Sequence, residues 1–179
     1  MSGRPLALAV TFRGATAQDI PAVVAIEREA FSDPWNAGSF RELVERPEIV
    51  FAVAVADREA VPVGESAGTE GSVDSAQSVV GFAIIYLADF EGDLANLATS
   101  GSVHRRGVGR RLLHHVLGVA RSRGGRIIFL EVRESNVAAR ALYESTGFME
   151  VGRRSKYYVR PVEDALILRR ELDDMPSHA

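Results

Sequence analysis

His104-Arg105-Arg106-Gly107-Val108-Gly109-Arg110-Arg111 opens the central helical pattern of the chain, and its reading decides the fold. Two glycines let the backbone turn tightly and present its N–H groups, and the helix start adds partial positive charge. The arginines at 105, 106, 110 and 111 surround that turn. In physical terms this is a phosphate cradle. Its spacing matches neither a Walker loop nor a GxGxxG dinucleotide fingerprint.

Outward from the cradle, Val108, Leu112, Leu113, Val116, Leu117 and Ala120 recur at helical spacing and stop near Gly124-Gly125. Residues 127–132 are a nearly continuous apolar run, the pattern of a buried strand. Asn136 then opens a helix through Ser145, stopped by Gly147, and residues 148–151 and 164–172 read as closing strands. Upstream, residues 94–99, 79–87, 51–56 and 8–13 read as strands. Asp19 caps a helix that carries Ile20, Val23, Val24 and Ile26 on one face, with Pro21 in its first turn. Phe31-Ser32-Asp33-Pro34-Trp35-Asn36 breaks it, and residues 38–45 form a second short helix. The order of elements predicts one mixed α/β domain over 8–172, with helices flanking a central sheet and a flexible tail at 173–179. The Gly-, Ser- and Glu-rich stretch 57–77 is expected to be a mobile loop inserted in a hairpin.

At 179 residues, with 46% hydrophobic and 25% charged side chains, the chain can bury a sizeable core. It has no cysteine, which excludes thiolate metal sites and a cysteine nucleophile, and its four histidines lack metal-ligand spacing, so no metal is expected. No targeting segment stands out, and the longest apolar run, 79–88, is about half a membrane span. A cytoplasmic protein with no membrane contact is expected. The net charge of −3 hides an asymmetry: residues 1–100 hold 6 basic and 15 acidic side chains, and residues 101–160 hold 13 and 4. A basic half suits an anionic cofactor or nucleic acid. Direct nucleic-acid binding is disfavoured, because the arginines gather at the phosphate turn without interleaved aromatics.

The cradle, the strand ending Leu130-Glu131-Val132-Arg133-Glu134-Ser135-Asn136, and the following Ala138-Ala139-Arg140-Ala141-Leu142-Tyr143-Glu144-Ser145-Thr146-Gly147-Phe148 together resemble the GCN5-related N-acetyltransferase (GNAT) superfamily. Within it the chain is similar to the RimI family, which acetylates the N-terminal alanine of a small-subunit ribosomal protein. Further matches are Ile26-Glu27, Phe31-Ser32-Asp33-Pro34-Trp35, Arg153-Arg154, Tyr157-Tyr158 and Glu163-Asp164-Ala165. The resemblance implies acetyl-CoA as co-substrate and a protein N-terminus as acceptor, a ribosomal protein among the candidates. The family usually has Gln or Arg at the place of His104, and typically valine, an acidic or polar residue and proline at Thr99-Ser100-Gly101.

Alternation places Glu131 on one face with Ile127 and Phe129, and a carboxylate in such a strand is costly unless paired. It is either a structural partner of an arginine or a base. Tyr143 has the spacing of a core aromatic, and its phenol could also protonate a thiolate. The resemblance implies Glu131 as base and Tyr143 as acid. It also implies cofactor contacts from the backbone of Leu97, Ala98 and Thr99, from Arg105, Arg106, Gly107, Val108, Gly109 and Arg110, and from Asn136, which doubles as a helix cap. Trp35, Tyr157 and Tyr158 could line an acceptor groove. Acetylation of lysine, a polyamine or a small metabolite, and a non-catalytic acyl-CoA-binding module, remain as alternatives.

Overall fold

The structure, a computed structural model, describes residues 8–57 and 77–173. Its elements are β1 (Val10–Gly14), α1 (Ile20–Ala30), α2 (Ala37–Val44), β2 (Ile49–Asp57), β3 (Gln77–Ala88), β4 (Glu91–Thr99), α3 (Val108–Ser122), β5 (Ile127–Arg133), α4 (Val137–Ser145), β6 (Met149–Val159) and β7 (Val162–Glu171). The expected loop at 57–77 and tail at 173–179 lie, apart from their first or last residues, outside the described residues. Seven strands form one mixed sheet in the order β1-β2-β3-β4-β5-β7-β6. Every pairing is antiparallel except that of β4 with β5.

Each face of the sheet carries its own core. Val50, Ala52, Ala54 and Ala56 of β2 join the apolar side of α3, including the fully buried Leu112, Leu113, Val116 and Leu117. Ile49, Phe51, Val53 and Val55 of the same strand join α1 and α2 through Ile20, Val23, Phe40 and Leu43. A strand covered on both faces must be apolar at every position, which is why β2 shows no alternation in sequence. All six apolar positions read for α3 are buried. The helix closes where Gly124 takes φ +95° and the Gly125 N–H reaches the Ala120 carbonyl at 2.9 Å.

The closing strands are longer than their sequence signal. β6 runs on to Val159, past the expected end at Val151, because an edge strand exposed on both faces has no apolar period to betray it.

What positions the site is the join between β4 and β5. They pair only from Glu91 with Ile127 to Asp93 with Phe129. Beyond that, β4 stays on β3 as far as Thr99 opposite Gly81, and β5 stays on β7 as far as Arg133 opposite Ala165. The two strands therefore diverge, and the edge of β4 from Leu94 onward has no strand beside it. A bulge at Ala95 sharpens the departure, since Leu94 opposes Ile85 and Asn96 opposes the next residue, Ile84. It turns Leu94 into the α3 core and leaves Ala98 in the α1 core.

Candidate active site

The cradle sits at the mouth of this divergence, between the end of β4 and the start of α3. Gly107 caps α3 in the left-handed region at φ +75°, and Arg105 takes φ +60°, unusual for a residue with a Cβ. Left-handed residues alternating with right-handed ones make a concave row of backbone N–H groups. The first helical bond here is the Arg111 N–H to the Gly107 carbonyl at 3.1 Å, so the N–H groups of Val108, Gly109 and Arg110 precede it and point out of the helix end. The Val108 side chain is buried, leaving only its backbone for a ligand, whereas Arg105, Arg106 and Arg110 keep their side chains in contact with solvent. Arg111 is directed elsewhere: it donates to the Val10 carbonyl at 2.8 Å and lies over the Phe12 ring. Three arginines, not four, therefore surround the cradle.

Where a proline would lack a donor, the Gly101 N–H is accepted by Glu29 of α1 at 3.0 Å. The His104 ring Nε2 meets the Thr99 carbonyl at 3.1 Å. Both departures from the family pattern thus tie down the turn between β4 and α3. Leu97 and Thr99 are half-buried and Ala98 is buried on this stretch of β4.

Glu131 lies on β5 two residues beyond the last pair with β4, on the wall of the slot. It is half-buried, on the face of Ile127 and Phe129, as alternation predicts. Its carboxylate meets Arg154 of β6 at 3.3 Å. Arg154 also lies 5.6 Å from the Tyr157 ring, and Arg133 stacks on Tyr158 at 4.0 Å. Arg133 is held by Glu163 at 3.4 Å and by the Arg160 carbonyl at 3.1 Å. The β6–β7 hairpin thereby brings Tyr158 near Glu131, and Arg154 links Tyr157 to the same carboxylate.

Tyr143 approaches from α4, with its ring edge-on to Phe148 at 5.7 Å. Burial pushes its phenol well above the ordinary tyrosine value, and the nearby Tyr158 adds a smaller push in the same direction. A proton is therefore held on the oxygen throughout the working pH range. Asn136 caps α4 by accepting the Ala139 N–H on Oδ1 at 3.1 Å, which leaves its amide NH2 for a ligand.

Trp35 is further from these groups in character. It is half-buried and packs on Phe40 at 5.8 Å, so much of its ring serves the α1–α2 core. Its backbone N–H is held by Glu27 of α1 at 3.1 Å, and the same carboxylate accepts from Asn96 Nδ2 at 3.3 and 3.1 Å. Burial pushes Glu27 above the usual carboxylate range, against the lowering effect of those bonds. Arg154, Glu27 and Asn96 are the site's additions to the sequence reading. Arg154 and Glu27 stand in the matched motifs without an assigned role, and Asn96 carries no sequence signal.

Among the described residues no group of three His, Asp or Glu side chains could hold a metal, and no helix is long and apolar enough to cross a membrane.

Known proteins resemble this chain in sequence and fold. The chain is 34% identical over 152 residues to a [ribosomal protein bS18]-alanine N-acetyltransferase of Salmonella typhimurium, covering 84% of this chain and 89% of that protein. It is 32% identical over 171 residues to the N-alpha-acetyltransferase RimI of Mycobacterium tuberculosis, covering 92% and 94%. The crystal structure of the ribosomal-protein-S18-alanine N-acetyltransferase from Escherichia coli superposes with a TM-score of 0.74 at 28% identity, over 96% of this chain and 99% of that one. A model of the acetyltransferase (GNAT) family matches residues 20–148, the span from α1 through the cradle and Glu131 to just past α4, and the chain belongs to that family.

Proposed function

We propose that this protein is an acetyl-CoA-dependent N-acetyltransferase whose acceptor is a protein N-terminal α-amine, with the N-terminal alanine of a small-subunit ribosomal protein as the leading substrate. The observation that carries the reading is the placement of Glu131 at a slot between two diverging strands, with a row of free N–H groups at its mouth. The relatives named above supply the acceptor class.

In this reading the pyrophosphate of acetyl-CoA rests on the N–H groups of Val108, Gly109 and Arg110, with Arg105, Arg106 and Arg110 supplying charge. The pantetheine arm lies along Leu97, Ala98 and Thr99, where β4 has a free edge. The Asn136 amide adds a contact at the start of α4. The acceptor amine enters from the α1–α2 face, between the Trp35 segment and Tyr157-Tyr158. Its nitrogen attacks the thioester carbonyl as Glu131 takes its proton, directly or through water. A β4 backbone N–H stabilises the oxyanion. The C–S bond then breaks, and Tyr143 gives its proton to the departing thiolate.

An α-amine has a reference pKa near 8 against about 10.4 for lysine, so it reaches the nucleophilic neutral form roughly two and a half units earlier. A closed end to the groove would admit alanine and reject a large first side chain. The test is intact-mass analysis after incubation with acetyl-CoA and synthetic peptides. An Ala-initiated ribosomal peptide should gain one acetyl group at its α-amine, its Trp-initiated form should be poorly used, and a blocked peptide with a free lysine should stay unmodified. Preferential modification of the blocked peptide or of a polyamine would replace the acceptor assignment, and cofactor binding without turnover on any amine would overturn the enzyme itself.

A further inference from the structure

Glu27 is 1% exposed, in a helix whose neighbouring positions Val23, Val24 and Ile26 fill an apolar core. Its partners are all neutral: the Trp35 backbone N–H on Oε1 and the Asn96 amide on both oxygens. No ion pair among the described residues includes it. A buried carboxylate without a cation is expensive, and an apolar side chain of similar size would fill the same space at lower cost. What the carboxylate adds is geometry. Residues 31–36 are an irregular link between α1 and α2, exposed except at Trp35, and their sequence-local anchors are the helix ends on either side. Glu27 gives them a long-range anchor to the sheet. Asn96 stands on β4 just past the bulge, in the stretch that has left β5 and walls the slot. One side chain therefore joins the segment proposed to face the acceptor to the strand proposed to hold the cofactor.

We infer that Glu27 is a positioning residue for the acceptor, clamping the Trp35 segment to Asn96 of β4 so that the groove is preformed when the peptide arrives. The inference rests on the reading of residues 31–36 as an acceptor wall. Without the clamp, the peptide must order that segment on binding, and the cost appears in acceptor affinity rather than in the chemical step.

The experiment compares steady-state kinetics of the wild-type chain, Glu27→Gln, and the double variant Glu27→Gln/Asn96→Asp, with an Ala-initiated peptide and acetyl-CoA. Acetyl-CoA affinity and the melting curve are measured for each. In the single variant Oε1 still accepts from the Trp35 N–H, whereas an NH2 replaces the oxygen that takes the 3.1 Å bond from Asn96, so Asn96 must turn its amide over to stay paired. The acceptor KM of this variant should rise about tenfold or more, with kcat within about twofold and acetyl-CoA affinity unchanged. In the double variant the donor and acceptor exchange places: the amide now carried by α1 donates to the carboxylate now carried by β4 and still accepts from the Trp35 N–H. Acceptor KM should therefore return toward the wild-type value. A lowered melting temperature with unchanged acceptor KM, or a raised KM that the double variant does not restore, would make Glu27 a core residue only and overturn the inference. Should Glu27→Gln not fold, Asn96→Ser removes two of the three bonds and is read by the same KM criterion. Wild-type turnover of the peptide tests the enzyme assignment, whereas only the ratio of variant to wild-type KM tests Glu27, so the two failures are distinct.

Discussion

At the scale of single residues, the site is a set of polar groups whose roles follow from what surrounds them. Glu131 and Tyr143 are both partly removed from water, yet one is paired with Arg154 and the other is enclosed by its burial, with Tyr158 nearby. The phenol, pushed up by its burial, keeps its proton and is available as a donor. Replacing Glu131 by Gln keeps the shape and removes proton acceptance, so turnover should fall by about 10²–10⁴-fold while acetyl-CoA still binds. Single-turnover kinetics with a calorimetric binding measurement check both halves, and near-normal turnover across the pH range would leave Glu131 as a partner of Arg154 alone. Tyr143→Phe should slow transfer less, because water can reach a thiolate. Since the phenol is pushed far up, the variant should change the height of the rate–pH profile below about pH 10 and not its shape.

At the scale of elements, the turn from β4 into α3 is the device that converts sequence into a binding surface. A Cβ built on Gly107 meets no atom within 4 Å, so nothing but its backbone angle of +75° asks for glycine. A β-branched side chain there costs roughly 1–2 kcal/mol or more, and the backbone can relieve it by leaving the left-handed region, which would redirect the neighbouring N–H groups. Gly107→Val should therefore lose most of the melting-temperature rise produced by acetyl-CoA. Gly107→Asn, a residue that tolerates this region, should keep most of it. Thermal melts with and without acetyl-CoA separate the two, and an equal ligand shift in both variants would place the phosphates elsewhere.

At the scale of the whole molecule, two buried carboxylates give opposite pH dependences to stability. Burial pushes Asp19 up, but bonds from the Arg13 guanidinium and from the Thr16 N–H and hydroxyl outweigh it and hold Asp19 below the usual carboxylate range. Its folded-state value is depressed, so the stability it contributes is present above its ordinary value of 3.8 and is lost as pH falls through the lower one. Glu27 is raised, so its contribution is complete below its ordinary value of 4.5 and declines as pH rises through the folded-state value. The melting-temperature gap between wild type and Asp19→Asn should shrink as pH is lowered past 3.8. The corresponding gap for Glu27→Gln should shrink as pH is raised above 4.5. Parallel melts from about pH 3 to 8 measure both, and gaps that move together would refute the assignment.

The same contrast separates what the chain reveals in one dimension from what it needs three for. Local patterns alone determine most elements, because helical periodicity in α3, the buried run of β5, the Asn136 cap and the glycines at 107 and 124 each act within a few residues. They also mark the cradle and the strand position of Glu131, whereas Tyr143 has only the spacing of a core aromatic, and the roles of both as base and acid come from the family resemblance. The extent of β6 was not legible, because a two-sided exposed edge has no apolar period. Nor were the partners across the sheet. Arg111 turns to Val10, Arg154 to Glu131, and Asn96 to Glu27, which is 69 residues away. The divergence of β4 from β5 belongs to the same class, for it arises when two strands commit to different neighbours, Thr99 to Gly81 and Arg133 to Ala165. Local sequence encodes which groups are present and how each segment prefers to coil, and the tertiary structure alone decides which distant charge or amide each one meets, because that choice is made only when the sheet closes and water is excluded.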